Sequence, residues 1–389
     1  MRFSRRTGWQ RRPNRLTALL EGRRKSGKPV YDLTDSNPTE SGIGYPETDL
    51  AASLSDPRVL RYQPDPRGLL SARETISEYY AESWNIAVDP SRLFLTSSTS
   101  EAYSILFKLL CDPGEEVLIP RPTYPLFDSL ARLSDVKLRS YSLLYDHGWR
   151  VDLDSLKGGL TESTKAVIII NPHNPTGMFL KKNEYRAIKR ICAERSIPII
   201  VDEVFLEFPL HEKSSRFSTA GEMDIPSFTL NGISKMAGLP QLKLGWIVAG
   251  GPSADLNEAA GRLEVVSDTF LSVNTPVQVA LPEIMEAGED IRENMLSRLR
   301  SNYAALRAEI PSGSACSILE CEGGWYGIIR VPKVKSDEEW ALQLLEKTGY
   351  YLFPGYFFDF ETEGYLVVSL LVKEEVLRRG INALVGLVG

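Results

Sequence analysis

The sequence predicts an α/β protein built on a mostly parallel, doubly wound sheet of seven strands, with a smaller α+β domain beside it. Three observations carry this expectation. Between Leu93 and Gly250, short β-rich runs alternate with longer amphipathic stretches, the rhythm of strands joined by crossover helices. Several runs, Val167 to Ile170 and Ile199 to Val201 among them, are wholly apolar, as strands covered on both faces should be. Finally, 389 residues leave room for two or three units at roughly 150 residues per domain.

In chain order the expected strands are Leu93 to Thr96, Glu116 to Ile119, Lys137 to Ser142, Ala166 to Ile170, Pro198 to Asp202, Ser227 to Leu230 and Leu244 to Ala249. After the first of them Ala102, Ile105, Leu106, Leu109 and Leu110 recur at helical spacing, so a helix begins near Ser98 to Ser100. Ser98 followed three residues later by Glu101 is a capping-box pattern. Beyond Asn274 a long helical pattern runs through Glu286, Met295 and Leu306 and reads as a bridge to the second domain. There, strands are expected at Trp325 to Val331 and Tyr365 to Leu370, with helices near Asp337 to Thr348 and Glu374 to Val385. Residues up to Gly42 are expected to pack with that part. The division read from this pattern is 1–42, 43–287 and 288–389.

Composition narrows the function classes. Hydrophobic residues at 43% and charged residues at 25% are ordinary for a globular chain, not a disordered one. A net charge of -6 gives no electrostatic reason to expect nucleic acid or an anionic membrane as partner. No apolar run approaches the ~20 residues that span a bilayer. Arg2, Arg5, Arg6, Arg11, Arg12 and Arg15 precede the first acidic residue, Glu21. Without a serine-rich context or an apolar signal region they read as an arm packing on the body or on a partner subunit. Cys111, Cys192, Cys316 and Cys321 are scattered thiols with no CxxC pair, which suits a reducing, cytoplasmic setting. With only His147, His173 and His211 beside them, no metal site and no Ser/His/Asp triad is expected.

The chemistry-bearing residues fall where α/β sheets place their ligands, at the carboxyl ends of strands. Lys235, in Asn231-Gly232-Ile233-Ser234-Lys235, follows a strand and precedes a flexible loop. A partly desolvated lysine there suits imine formation with a carbonyl, although most lysines are solvated side chains. Asp202 ends an apolar strand. A buried carboxylate there needs a cation to stay charged, and a protonated pyridine nitrogen is one such partner; an isolated strand-end Asp is otherwise a helix cap or a surface ion pair. In Asn171-Pro172-His173-Asn174-Pro175-Thr176-Gly177 two prolines and a glycine stiffen a turn from which the Asn174 amide can donate to a phenolic oxygen. Ser97, Ser98, Thr99 and Ser100 crowd a helix start, where free N–H groups and the helix dipole favour a phosphate; capping accounts for one or two of the four. Pro120-Arg121-Pro122-Thr123-Tyr124-Pro125 holds Tyr124 near the same edge, either as surface packing or as a ring that stacks on a planar ligand.

Taken together, the hydroxyl-rich helix start, Pro-x-Pro-x-Tyr, Asn-Pro-x-Asn-Pro-Thr-Gly, the strand-end Asp and Ser-Lys followed by Leu-Gly-Trp resemble the class I/II aminotransferases. These are fold-type I enzymes dependent on pyridoxal 5'-phosphate (PLP), similar to aspartate and alanine aminotransferases. The resemblance extends from Asp35-Ser36-Asn37-Pro38-Thr39 to Phe353-Pro354-Gly355. It implies that Lys235 forms the Schiff base and later shuttles a proton, and that Asp202 keeps the pyridine nitrogen protonated. It further implies that Asn174 bonds the ring hydroxyl, that Ser98, Thr99 and Ser100 receive the phosphate and that Tyr124 stacks on the ring. Tyr62 reaches the phosphate of a neighbouring subunit, which implies a homodimer with shared active sites. The implied partners are a small amino donor and a keto acceptor, used in a ping-pong cycle.

Four positions depart from the pattern. Phe205 stands where the family usually has a tyrosine that donates to the ring hydroxyl, so a less stabilised phenolate and a higher Schiff-base pKa are expected. Gly232 replaces a phosphate-binding serine, and Lys243 replaces an arginine, turning a bidentate fork into a point charge. Phosphate anchoring is then expected from Lys243, the helix start and Ser234. Val367 stands at the usual α-carboxylate arginine; Arg330, Lys373 or an arginine of the arm can substitute, or the substrate lacks an ordinary α-carboxylate. The alternative enzyme reading is a PLP lyase or decarboxylase, because one carbanion partitions several ways on one fold. A PLP-binding regulatory protein is disfavoured by the retention of Lys235, Asp202 and Asn174. A dinucleotide-binding protein is disfavoured because Ala249-Gly250-Gly251-Pro252 lacks GxGxxG.

Overall fold

The computed structural model describes residues 1–9, 12–212 and 214–389, with only the backbone described for 47–49. Of the arm's arginines, Arg11 lies outside the described residues. All seven expected strands form, in a sheet of spatial order Leu93–Thr96, Gly245–Gly250, Ser227–Gly232, Ile199–Asp202, Thr164–Ile170, Glu116–Arg121, Lys137–Tyr145 and Trp149–Val151. The five from Ser227–Gly232 to Lys137–Tyr145 run parallel, and Gly245–Gly250 is antiparallel to both of its neighbours. The eighth strand, Trp149–Val151, was not foreseen. It folds back antiparallel on Lys137–Tyr145 after the turn Asp146-His147-Gly148, and three residues are too few to show a period.

Apolar runs become central strands because both faces are covered. Val167, Ile169, Ile199 and Val201 pack with Leu156 and Ile188 on one side, while Ile168, Ile170 and Ile200 meet Leu106, Phe107 and Leu263 on the other. Adjacent residues of one strand therefore enter different cores, as period-two geometry requires. The helix Thr99–Leu110 starts where expected: Ser98 Oγ accepts from Glu101 N–H at 3.2 Å. The Glu101 carboxylate accepts from Ser97 N–H at 2.6 Å, one residue ahead of the reciprocal contact a capping box would make.

The helix Leu281–Glu309 buries Ile291, Met295, Leu299 and Leu306 and leads into an antiparallel sheet of order Ser317–Ile318, Tyr326–Arg330, Tyr365–Ser369, Phe353–Pro354. The helix Asp337–Thr348 is framed by a Ser336/Glu339 capping box and by Gly349 in left-handed conformation (φ 86°), which also lies too close to Pro29 O to admit a Cβ. Leu16 and Leu20, on the helix Arg15–Lys25, and Leu33 are buried in one cluster with Leu299, Trp340 and Leu366. Tyr31–Asp32 pairs in parallel with Tyr350–Tyr351. The arginine arm lies on the body: Arg6 Nε donates to both Asp135 oxygens at 2.7 and 2.8 Å, and Arg132 stands 6.0 Å from the Trp9 ring.

Candidate active site

The carboxyl ends of the parallel strands border one cleft of about 220 Å³. Ser98, Thr99, Ser100, Tyr124, Asn174, Asp202, Ser234 and Lys235 all line it. Lys243 and Tyr62 do not. Lys243 is exposed at a left-handed position (φ 57°) just before Leu244, and Tyr62 is 74% exposed in the loop after Pro57–Leu60.

Lys235 sits on the single turn Ile233–Met236 that caps the strand Ser227–Gly232. Its Nζ stands 5.2 Å from the Trp325 ring and 6.0 Å from that of Phe205, and burial lowers its pKa while Asp202 opposes the shift. Asp202 is nearly buried. Its Oδ1 accepts from Val204 N–H and its Oδ2 from Tyr103 O–H, each at 3.1 Å. Burial pushes its pKa up to about 6 against those two donors and the charge of Lys235. Among the described residues Asp202 has no ion-pair partner within 4.0 Å, so the cation that the sequence reading asked for is not supplied there by a side chain.

Other features of the cleft suit a planar phosphorylated cofactor. The Asn174 Oδ1 atom is buried without a hydrogen-bond partner, so the carboxamide is not consumed by the fold. Thr99 and Ser100 open a helix, so their N–H groups have no carbonyl one turn back. Close to them a Cβ on Gly245 would meet Ser98 C at 3.2 Å and Thr96 Oγ1 at 3.3 Å. A Cβ on Gly232 would lie 2.9 Å from both Gly245 Cα and Leu244 O, which explains the missing serine: the paired backbone leaves it no room.

Tyr103, Trp325, Ser36 and Tyr326 also line the cleft, and sequence reasoning did not single them out for it. Tyr103 is four residues from Thr99 and so shares its helix face, a signal available beforehand. Trp325 and Tyr326 belong to the C-terminal part and Ser36 to the N-terminal part, and no local pattern brings them to Lys235. Phe205 lines the cleft and packs edge-on against Trp325 at 5.2 Å, filling the place of the absent phenol with ring contact. Val367 is fully buried with Leu319 and Ile328 and does not reach the cleft. Nor do the considered substitutes: Arg330 lies against Tyr145 at 5.5 Å and Lys373 is exposed before the last helix. Among the described residues Lys235 is the one cation that lines the cleft.

Comparison with known proteins gives concordant matches. The family described as aminotransferase class I and II matches residues 40–384. The glutamate-pyruvate aminotransferase AlaA of Haemophilus influenzae is 27% identical over 369 residues, covering 92% of this chain and 91% of that protein. Human tyrosine aminotransferase is 26% identical over 408 residues, covering 96% of this chain and 86% of its own. Among solved structures, alanine aminotransferase from Pyrococcus furiosus superposes with a TM-score of 0.89 at 24% identity, covering 100% of this chain and 99% of that one. A double mutant of Thermus thermophilus aspartate aminotransferase gives 0.86 at 22% identity, covering 99% of this chain and 100% of that one.

Proposed function

Because this chain belongs to the class I and II aminotransferases, and is accordingly a PLP-dependent aminotransferase, we propose that its chemistry is carried by Lys235 and Asp202 in the cleft described above. When bound, PLP supplies an aldehyde that a lysine amine can take up and a pyridinium ring that delocalises the electrons of a broken Cα–H bond. The observation that carries the assignment is the meeting of Lys235, Asp202 and the uncommitted Asn174 amide in one cleft with an open helix start.

In this reading Lys235 Nζ would hold the aldehyde and, once released, would move the proton at the substrate Cα; burial lowers its pKa and so favours the neutral, basic amine. Asp202 would hold the proton of the ring nitrogen. Asn174 would donate to the ring oxygen, Tyr124 would cover the ring, and Ser98, Thr99, Ser100 and Ser234 would receive the phosphate; Lys243, exposed outside the cleft, would have to turn in to join them. Tyr62 serves the site of a second copy, which makes the enzyme a homodimer. That is supported by exposed apolar side chains at Leu60, Phe270 and Leu271 on segments tied together by the Ser272–Asp65 contacts at 3.0 and 3.3 Å. We place it in the cytoplasm, where its four free thiols suit the redox poise, and divide it at 42 and 287, the N-terminal part packing with the C-terminal one.

Borohydride treatment of the PLP-loaded protein tests the assignment. Cofactor mass should be fixed on the peptide containing Lys235, and not in Lys235→Ala. An amino donor alone should then convert the bound cofactor stoichiometrically to its amine form. No fixation at Lys235 refutes the site; release of ammonia or carbon dioxide without that conversion points instead to a lyase or decarboxylase.

A further inference from the structure

The cleft's outer wall carries a hydroxyl pair drawn from opposite ends of the chain. Tyr326 O–H donates to Ser36 Oγ at 3.2 Å, and both side chains line the cleft beside Trp325. Ser36 thus accepts one bond, while its own proton has no acceptor among the described residues. Its position is fixed from both sides. Ser369 N–H donates to Leu33 O at 2.7 Å, joining the N-terminal segment to the strand Tyr365–Ser369, and Asn37 N–H and Thr39 N–H fold the next residues on to Asp35 and Asn37 at 2.9 and 3.1 Å. The Asp35 carboxylate accepts from Asn37 N–H but keeps its charge, which adds to burial in raising the pKa of the Tyr326 phenol and so holds it protonated as a donor.

On the reading that the cleft performs aminotransfer, we propose that Ser36 and Tyr326 form the subsite for a carboxylate oxygen of the amino or keto acid. Tyr326 polarises Ser36 by donating to it, and the serine proton completes the chain on the substrate oxygen. Two hydroxyls in series strengthen one another where water is excluded. The subsite replaces a charged fork with neutral donors, which fits a wall in which Lys235, already committed to the cofactor, is the one described cation.

The test uses the PLP-loaded protein and two non-reacting ligands, hydrocinnamate and its uncharged amide, with binding read from the tryptophan fluorescence and the cofactor's absorption band. The wild-type protein should prefer the carboxylate. Ser36→Ala should weaken carboxylate binding about tenfold or more, the size of a lost bond to a charged group, with little change for the amide. Tyr326→Phe should lower the same preference by a smaller factor, and Ser36→Thr should restore it. A structural role for Ser36 would weaken both ligands alike, so the ratio decides. A wild-type protein that binds the carboxylate no better than the amide, or a Ser36→Ala protein with an unchanged ratio, overturns the subsite. Loss of borohydride fixation at Lys235 would instead count against the aminotransfer site itself.

Discussion

Replacing Asp202 by Asn should make the cofactor-free protein more stable at neutral pH while depriving it of the cofactor. The Asp202 carboxyl titrates at about 6 in the fold against an ordinary value of 3.8, because burial outweighs its two hydrogen-bond donors. The folded state therefore holds this proton more tightly than the unfolded chain. That contribution to stability is complete below pH ~4 and is lost as pH rises through about 6. At roughly 1.4 kcal/mol per pH unit, the ionised carboxylate costs about 3 kcal/mol by pH 8. Asn is isosteric, but its amide cannot accept from both Val204 N–H and Tyr103 O–H, which returns about 1 kcal/mol. The net expectation is a gain of about 2 kcal/mol at pH 8, smaller by about 1 kcal/mol at pH 5. Urea unfolding of both proteins without cofactor at the two pH values measures it. An Asp202→Asn protein no more stable than wild type at pH 8, or a gap that narrows as pH rises, would refute the account of Asp202 as a buried charge awaiting a cation.

Phe205→Tyr should lower the pKa seen in a spectral pH titration of the bound cofactor, since a phenol there can donate to the ring oxygen; an unchanged titration argues against the missing donor. Gly232→Ala should cost about 1–3 kcal/mol in a thermal or urea melt even without cofactor, because its Cβ would fall 2.9 Å from Gly245 Cα. Ser336→Ala should cost about 1 kcal/mol, measured in the same melts, by removing the acceptor of Glu339 N–H at 3.2 Å, and should leave cofactor binding untouched.

The centre of the large sheet was legible because its strands are apolar on both faces, so that each of Val167 to Ile170 announces burial without help from distant sequence. Asp202, Asn174 and Lys235 were legible for a related reason: each follows such a run, and the end of a parallel strand has one address in the fold. What escaped notice depends on contacts across the chain. Trp325 lies about 90 residues beyond Lys235 and reads locally as the start of a strand. Ser36 is linked to Tyr326 by a sequence separation of 290, which no periodicity encodes. Lys243 and Tyr62 carry the opposite lesson: motif position proposed them for the site, while the backbone turns Lys243 outward and leaves Tyr62 on the surface of the single chain.

The return of the chain through Gly245–Gly250 has one more consequence. That strand is hydrogen-bonded along the one leading to Lys235, and Ile233 N–H donates to Leu244 O at 3.1 Å just behind the lysine. Residues 236–243 are thus a hoop clasped at its throat, with its first half, Met236 to Leu239, buried against Leu281 and Ile284 and only Gln241 and Lys243 exposed. The lysine is thereby braced from behind by core packing, so that exchanges at Gln241 or Lys243 leave its footing intact whereas a smaller side chain at Met236 or Leu239 loosens it.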